Sequence, residues 1–296
     1  MLYFYAQLPG PFQGLAFLLL KGEKGMNTIE IAVMLEKLRA EKPLVHNITN
    51  MVVTNFTANG LLALGASPVM AHAAEEAADM AGIAGALVLN IGTLTSPVVK
   101  SMKLAGESAG RNSVPIILDP VGAGATAYRT ETGRNLLEEL PISILRGNAA
   151  EISHLAGKGG EIKGVDGGEA GNPEETALLA AKLFNTVTVI TGKEDIISDG
   201  ITVVRISGGS SLLTKVTGTG CLLSSVIGAF HAIESDSLKA AAAALAVYSA
   251  AAEMAAEAAG NKGPGTFQIE LLNSLALLKG EDLENRTDIT VLKGEI

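Results

Sequence analysis

Tryptophan is absent from this chain of 296 residues, cysteine occurs once and histidine four times. A lone cysteine cannot close a disulfide within the chain, and it leaves neither a cysteine-based zinc site nor a CxxC redox pair. With so few scattered histidines, any metal is expected to arrive with a phosphate substrate and to be held by carboxylates, as magnesium usually is. Positive charge is also scarce, with 22 Lys and Arg against 31 Asp and Glu and a formal net charge of -9. That balance argues against a nucleic-acid surface, while leaving room for a local basic pocket around a phosphorylated ligand. The opening MLYFYAQLPGPFQGLAFLLL is apolar, but it has no basic start, contains Pro-Gly-Pro and lacks a membrane-length run. No membrane partner is therefore expected. Residues 1–25 read as an extra arm or an upstream start, and 26–296 as one domain.

Two nucleotide fingerprints are missing. Neither GxxxxGK(S/T) nor GxGxxG occurs, which disfavours P-loop kinases and weakens a dinucleotide enzyme.

What is present is a βαβ rhythm. Helices are expected over 27–39, 53–64, 74–81, 96–110, 130–140 and 174–185, alternating with short strands over 44–46, 66–70, 86–90, 115–118 and 186–191, while 144–151 places a further strand end against a helix start. Asp199-Gly200 joins two further strands over 195–198 and 202–206 as a hairpin. The fold class is α/β, a mostly parallel sheet flanked by helices, with binding loops at the strand C-termini. The small-residue run 237–259 is a strong helix former that either packs closely within the chain or offers an oligomer face. Another helix follows over 266–278 and a last strand over 289–292. GKGGEIKGVDGGEAG, 157–171, reads as a surface excursion.

The chain is organised around LLTKVTGTGCLLSSVIGAF, 212–230, where a glycine-rich loop opens a buried helix. Its glycines let backbone amides converge on an anion, and a thiol at that N-terminus, Cys221, tends toward a lowered pKa. Asp119 ends a strand before Pro120 and a glycine-rich bend, either facing phosphate and magnesium or merely capping the turn. Arg146 and Glu151 flank the next strand end, as a phosphate and metal-water pair or as a salt bridge. Asn50 is a turn or cap candidate and Met70 a core plug or ligand contact. A cysteine hydrolase is the competing class. It would need one of His46, His72, His154 or His231 beside Cys221.

Seven segments, in order, resemble the hydroxyethylthiazole kinase family, the thiamine-salvage member of the ribokinase-like superfamily: HNITNMVVTNFTANGLLALGASPVM, ALVLNIGTL, ILDPVGAGATAYRTE, LRGNAAEI, VTVITG, LLTKVTGTGCLLSSVIGAF and NKGPGTFQIELLN. The resemblance implies a ribokinase-like three-layer fold and ATP-dependent phosphorylation of the primary alcohol of 4-methyl-5-(2-hydroxyethyl)thiazole. It also implies Mg2+ and a cytoplasmic homotrimer with active sites between subunits. By the same resemblance Met70 and Gly218 contact the thiazole, while Asn50, Arg146 and Thr191 bind ATP. Asp119 and Glu151 serve magnesium through phosphate or water, and Cys221 stands beside the reacting hydroxyl. A sister kinase for a hydroxymethyl-pyrimidine, and a protein that binds without turnover, are the remaining alternatives.

Overall fold

The computed structural model describes residues 26–157 and 172–294. The expected arm over 1–25 and nearly all of the glycine-rich excursion lie outside the described residues.

Nine strands form one sheet in the order β2-β1-β3-β4-β5-β6-β7-β8-β9. They are β1 Leu44–Ile48, β2 Ser67–Val69, β3 Ala86–Asn90, β4 Ile116–Asp119, β5 Ile144–Asn148, β6 Val187–Thr191, β7 Asp195–Ser198, β8 Val203–Ser207 and β9 Asp288–Lys293. The pairs from β2 through β6 are parallel, and those from β6 through β9 antiparallel. Helices are α1 Thr28–Glu41, α2 Thr54–Leu64, α3 Ala77–Ile83, α4 Ser96–Arg111, α5 Ala127–Glu139, α6 Ala149–Ala156, α7 Pro173–Phe184, α8 Thr219–His231, α9 Ser237–Ala259, α10 Pro264–Leu277 and α11 Gly280–Leu283.

Alternation along the strands sorts the core into two layers. Val45, Val88, Ile117, Ile144 and Val189 join the residues of α1, α2 and α8 to α10 on one face. Leu87, Leu89, Leu118, Leu145 and Ile190 meet α3 to α7 on the other. Strands covered on both sides must be apolar throughout, which is why ALVLN reads as a continuous buried run. The result is the expected three-layer arrangement with a mostly parallel sheet.

Local chemistry sets the boundaries. The Asn27 side chain accepts from Glu30 N–H at 2.9 Å and starts α1. Thr126 does the same for Arg129 N–H, so α5 begins three residues before the expected 130. A turn over Ala73 to Glu76 delays α3 to Ala77. Asp199 Oδ1 accepts from both Ile201 N–H (2.8 Å) and Thr202 N–H (2.6 Å), closing the β7–β8 hairpin. A short 3₁₀ turn, Ser211–Lys215, precedes the central glycine loop and was not expected.

Helix α9 is long and apolar enough to cross a membrane, but 83% of that window is buried inside the protein. Its alanines let α8 and α10 pack closely on it, so most of the small-residue run is spent on packing within the chain.

Candidate active site

The C-terminal ends of the parallel strands carry a continuous row of polar side chains. Register brings Asn90 of β3 opposite Asp119 of β4, and Asn148 of β5 opposite Thr191 of β6. Asn90 Nδ2 donates to Asp119 Oδ2 at 2.9 Å, and Ser224 Oγ, one turn into α8, donates to the same oxygen at 2.7 Å. Arg146 reaches that oxygen with Nη1 at 3.5 Å and gives Nη2 to Thr191 Oγ1 at 2.6 Å. Asp119 is fully buried, and its other oxygen, Oδ1, has no partner. Burial pushes this carboxyl up, although the Arg146 charge pulls it down.

Glu151 stands in the first turn of its helix and is held there by backbone amides. Its Oε2 accepts from Asn148 N–H (2.9 Å) in a capping box, and its Oε1 accepts from Gly122 N–H (2.8 Å). The salt bridge read as an alternative for Arg146 therefore forms with Asp119 rather than with Glu151. Asp195, which opens β7, is pushed up to about 6 by burial, against a Gly192 N–H hydrogen bond and the Arg146 charge.

The glycine loop lies against this row. Gly218 has φ +91°, and a Cβ there would stand 2.6 Å from Val53 Cγ1. A Cβ on Gly220 would stand 2.8 Å from Arg146 Nη1, so the start of α8 rests directly on the guanidinium. The buried Tyr248 hydroxyl donates to Thr219 O at 2.8 Å and holds the same turn from α9. Like any first helical turn, this one presents amides without intrahelical acceptors.

Cys221 corrects one expectation. Its thiol is pushed up to about 11, first by burial and then by the negative charge of Asp119. Those two causes outweigh the helix N-terminus. The hydrolase reading also finds no base, because Cys221 Sγ accepts from Asn50 Nδ2 at 3.4 Å while three of the four histidines are bonded elsewhere and the ring of His154 lies against Gly124. His46 bonds Ala71 O, His72 bonds Met70 O and Thr49, and His231 bonds Glu234 O and Ser237.

Asn50 is a link rather than a cap alone. Its Nδ2 also donates to Asn90 Oδ1 at 2.9 Å, so one chain of contacts runs Cys221, Asn50, Asn90, Asp119, Arg146, Thr191. Met70, just past β2, is half-buried. Its carbonyl meets His72 Nδ1 at 3.1 Å, and His72 Nε2 meets Thr49 O at 3.0 Å, which fastens the Met70 segment beside Asn50. The structure thus gathers Asn50, Asp119, Arg146, Thr191, Gly218 and Cys221, with Glu151 and Met70 attached through loop backbone.

Sequence reading passed over Asn90 and Ser224. Asn90 carried a signal, a polar residue ending an otherwise apolar strand. Ser224 carried none, since a serine inside an apolar helix ordinarily bonds its own backbone.

Among the described residues no group of three or more His, Cys, Asp and Glu side chains could hold a metal directly. The one unpartnered oxygen of Asp119, Oδ1, instead suits a cation brought in with phosphates. A cavity of about 820 Å³ opens at the opposite end of the sheet, near Lys37, Asn112, Ser143 and His231, and touches none of these groups. Chemistry rather than cavity size marks the site.

The chain is similar to known proteins in sequence and fold. The sequence model of the hydroxyethylthiazole kinase family matches residues 35–281. The structure of the hydroxyethylthiazole kinase protein from Pyrococcus horikoshii OT3 is 42% identical, with a TM-score of 0.82 over 89% of this chain and 99% of its own. A pyridoxal kinase from Staphylococcus aureus in complex with ADP, 16% identical, has a TM-score of 0.54 over 72% of this chain and 88% of its own. A ribokinase-like superfamily protein from Enterococcus faecalis V583, 12% identical, has a TM-score of 0.57 over 86% and 96%. These last two speak to the fold alone.

Proposed function

This chain belongs to the hydroxyethylthiazole kinase family, and we propose that it transfers the γ-phosphoryl group of ATP to the primary hydroxyl of 4-methyl-5-(2-hydroxyethyl)thiazole. The product is the thiazole phosphate used in thiamine biosynthesis. The observation that carries the assignment of roles is the unbroken line of contacts from Cys221 to Thr191 across the strand ends.

Phosphoryl transfer asks little covalent chemistry of a protein and much positioning and charge stabilisation. Arg146 and Thr191 orient the ATP phosphates at one end of the line, with Asn50 beside the nucleotide. Met70 and Gly218 hold the thiazole at the other, which puts its hydroxyl next to Cys221. The amides from Gly218 to Cys221 and the Arg146 guanidinium stabilise charge on the transferring group. No covalent intermediate forms on Cys221. Its high pKa keeps the thiol protonated at neutral pH, so it is a hydrogen-bonding neighbour of the alcohol, and the alcohol's proton leaves to the transferred phosphoryl oxygens or to water. Asp119 and Glu151 serve a magnesium ion through phosphate or water, and that ion supplies neutralisation of phosphate charge when bound. The unpartnered Asp119 Oδ1 supports this role.

We further propose a cytoplasmic homotrimer with sites between subunits, built from one domain over 26–296. Met51 and Val52, which directly follow Asn50, are 81% and 68% exposed, an apolar edge beside the site that suits cover by a neighbour. A lone reduced thiol suits the cytoplasm.

The test is ADP release by the purified chain. It should require the alcohol and magnesium together and stop on chelation. Release without the alcohol, or none under any combination, would refute the kinase reading.

A further inference from the structure

Past Asn90 and Asp119 the paired strands β3 and β4 give way to separate loops, and one side chain spans both. Arg129, in the first turn of α5, donates from Nη1 to Ile91 O at 3.0 Å and Val121 O at 2.7 Å, and from Nη2 to Gly92 O at 2.8 Å. Three backbone carbonyls from two loops thus share one planar guanidinium, a geometry that a lysine ammonium on its flexible stem does not reproduce.

Each loop leads to a different side of the site. A Cβ on Gly92 would stand 2.8 Å from Asn50 Nδ2 and 2.9 Å from Asn50 Cβ, so the backbone at Gly92 is packed against Asn50. Asn50 in turn donates to Cys221. On the other loop, Val121 precedes Gly122, whose N–H donates to Glu151 Oε1 at 2.8 Å. Gly122 has φ +78° and lies so near Arg129 that an added Cβ would stand 3.1 Å from Arg129 Cδ. The guanidinium is therefore the common anchor of the Asn50–Cys221 side and the Gly122–Glu151 side.

We propose that Arg129 is a positioning residue that fixes the spacing between the two sides of the site, Asn50 with the reacting-centre Cys221 on one and Gly122 with Glu151 on the other. This rests on the kinase reading above. Loss of the guanidinium would free the Gly92 and Val121 carbonyls at once and loosen both sides, without removing any group that touches substrate.

The test uses the full chain with Arg129→Met and Arg129→Lys. Three readouts are taken: kcat and KM for both substrates, recovery of kcat by added guanidinium, and the rate of iodoacetamide alkylation. Cys221 is the sole thiol, so alkylation reports its packing against Asn50 whether or not the protein is a kinase. The expected result is a kcat loss of about 30-fold or more in R129M, with KM for ATP within about threefold and partial recovery by guanidinium. R129K should also lose kcat, and the alkylation rate should change by about threefold or more in both variants. If R129M fails to fold, R129K decides. A folded R129K with an unchanged alkylation rate, or with kcat within about twofold of the parent, would overturn the proposal. If the parent chain phosphorylates nothing, the kinase reading falls separately, and alkylation still decides whether Arg129 holds Asn50 against Cys221.

Discussion

Cys221 is the residue at which a plausible rule gives the wrong sign. A helix N-terminus lowers a thiol pKa, yet here burial and the nearby Asp119 charge push it up to about 11. At pH 7 such a thiol is ionised in only about one molecule in ten thousand. Cys221→Ala should therefore lower kcat by less than about 100-fold, below what removal of an effective general base typically costs, with KM for ATP unchanged. Single-turnover rates at saturation would check this. A rate that climbs tenfold per pH unit from 7 to 9 in the parent and is flat in the variant would instead make the thiolate the base. Asp195 offers a test of stability. Its pKa rises from 3.8 to about 6, so the folded state binds the proton more tightly than the unfolded chain. The stability this contributes is fully present below pH 3.8 and is lost as pH rises through about 6. Asp195→Asn should accordingly raise Tm relative to the parent at pH 8, with the gap closing by pH 4, as measured by thermal melts at both values.

The element that concentrates function is α8, and its glycines show how the sequence encodes it. Gly218 needs a positive φ, and Val53 fills the space a side chain would take. Gly218→Ala should cost about 1–3 kcal/mol in a denaturant melt. Gly220 is different, since its added Cβ would meet Arg146 rather than the core. Gly220→Ala should therefore lose far more kcat than stability, and a steady-state assay beside a thermal melt would separate the two. These elements were largely legible beforehand. The run ALVLN and the alanine-rich α9 have the composition and length of what they became. Boundaries moved where a side-chain cap decided them, as with Thr126 at α5. In the site, strand-end Asp119 and Arg146 could be read because charge is conspicuous at the end of an apolar strand. The Asn50–Asn90 bond and the role of Ser224 could not, because they depend on β1, β3 and α8 meeting in space across 40 residues in one case and 105 in the other.

At the scale of the molecule, one sheet with its cores on two faces holds residues from four strands, β3 to β6, the loop after β1 and the start of α8 in a single row. Register does this with little help from loops, since Asn90 and Asp119 are direct neighbours across β3 and β4. The proposed trimer predicts an assembly of three chains in light scattering after size exclusion, with the exposed Met51 and Val52 beside that row as its contact. Replacing both with serine should shift the mass toward the monomer and lower activity together. The most direct measurement of the whole account is product-resolved phosphorylation by the purified chain with ATP and magnesium. It should present 4-methyl-5-(2-hydroxyethyl)thiazole and the hydroxymethyl-pyrimidine side by side, with products identified by mass. The account predicts phosphate on the thiazole alcohol and little or none on the pyrimidine. Phosphate on the pyrimidine in preference, or on neither alcohol by a folded protein that still binds ATP, would contradict it.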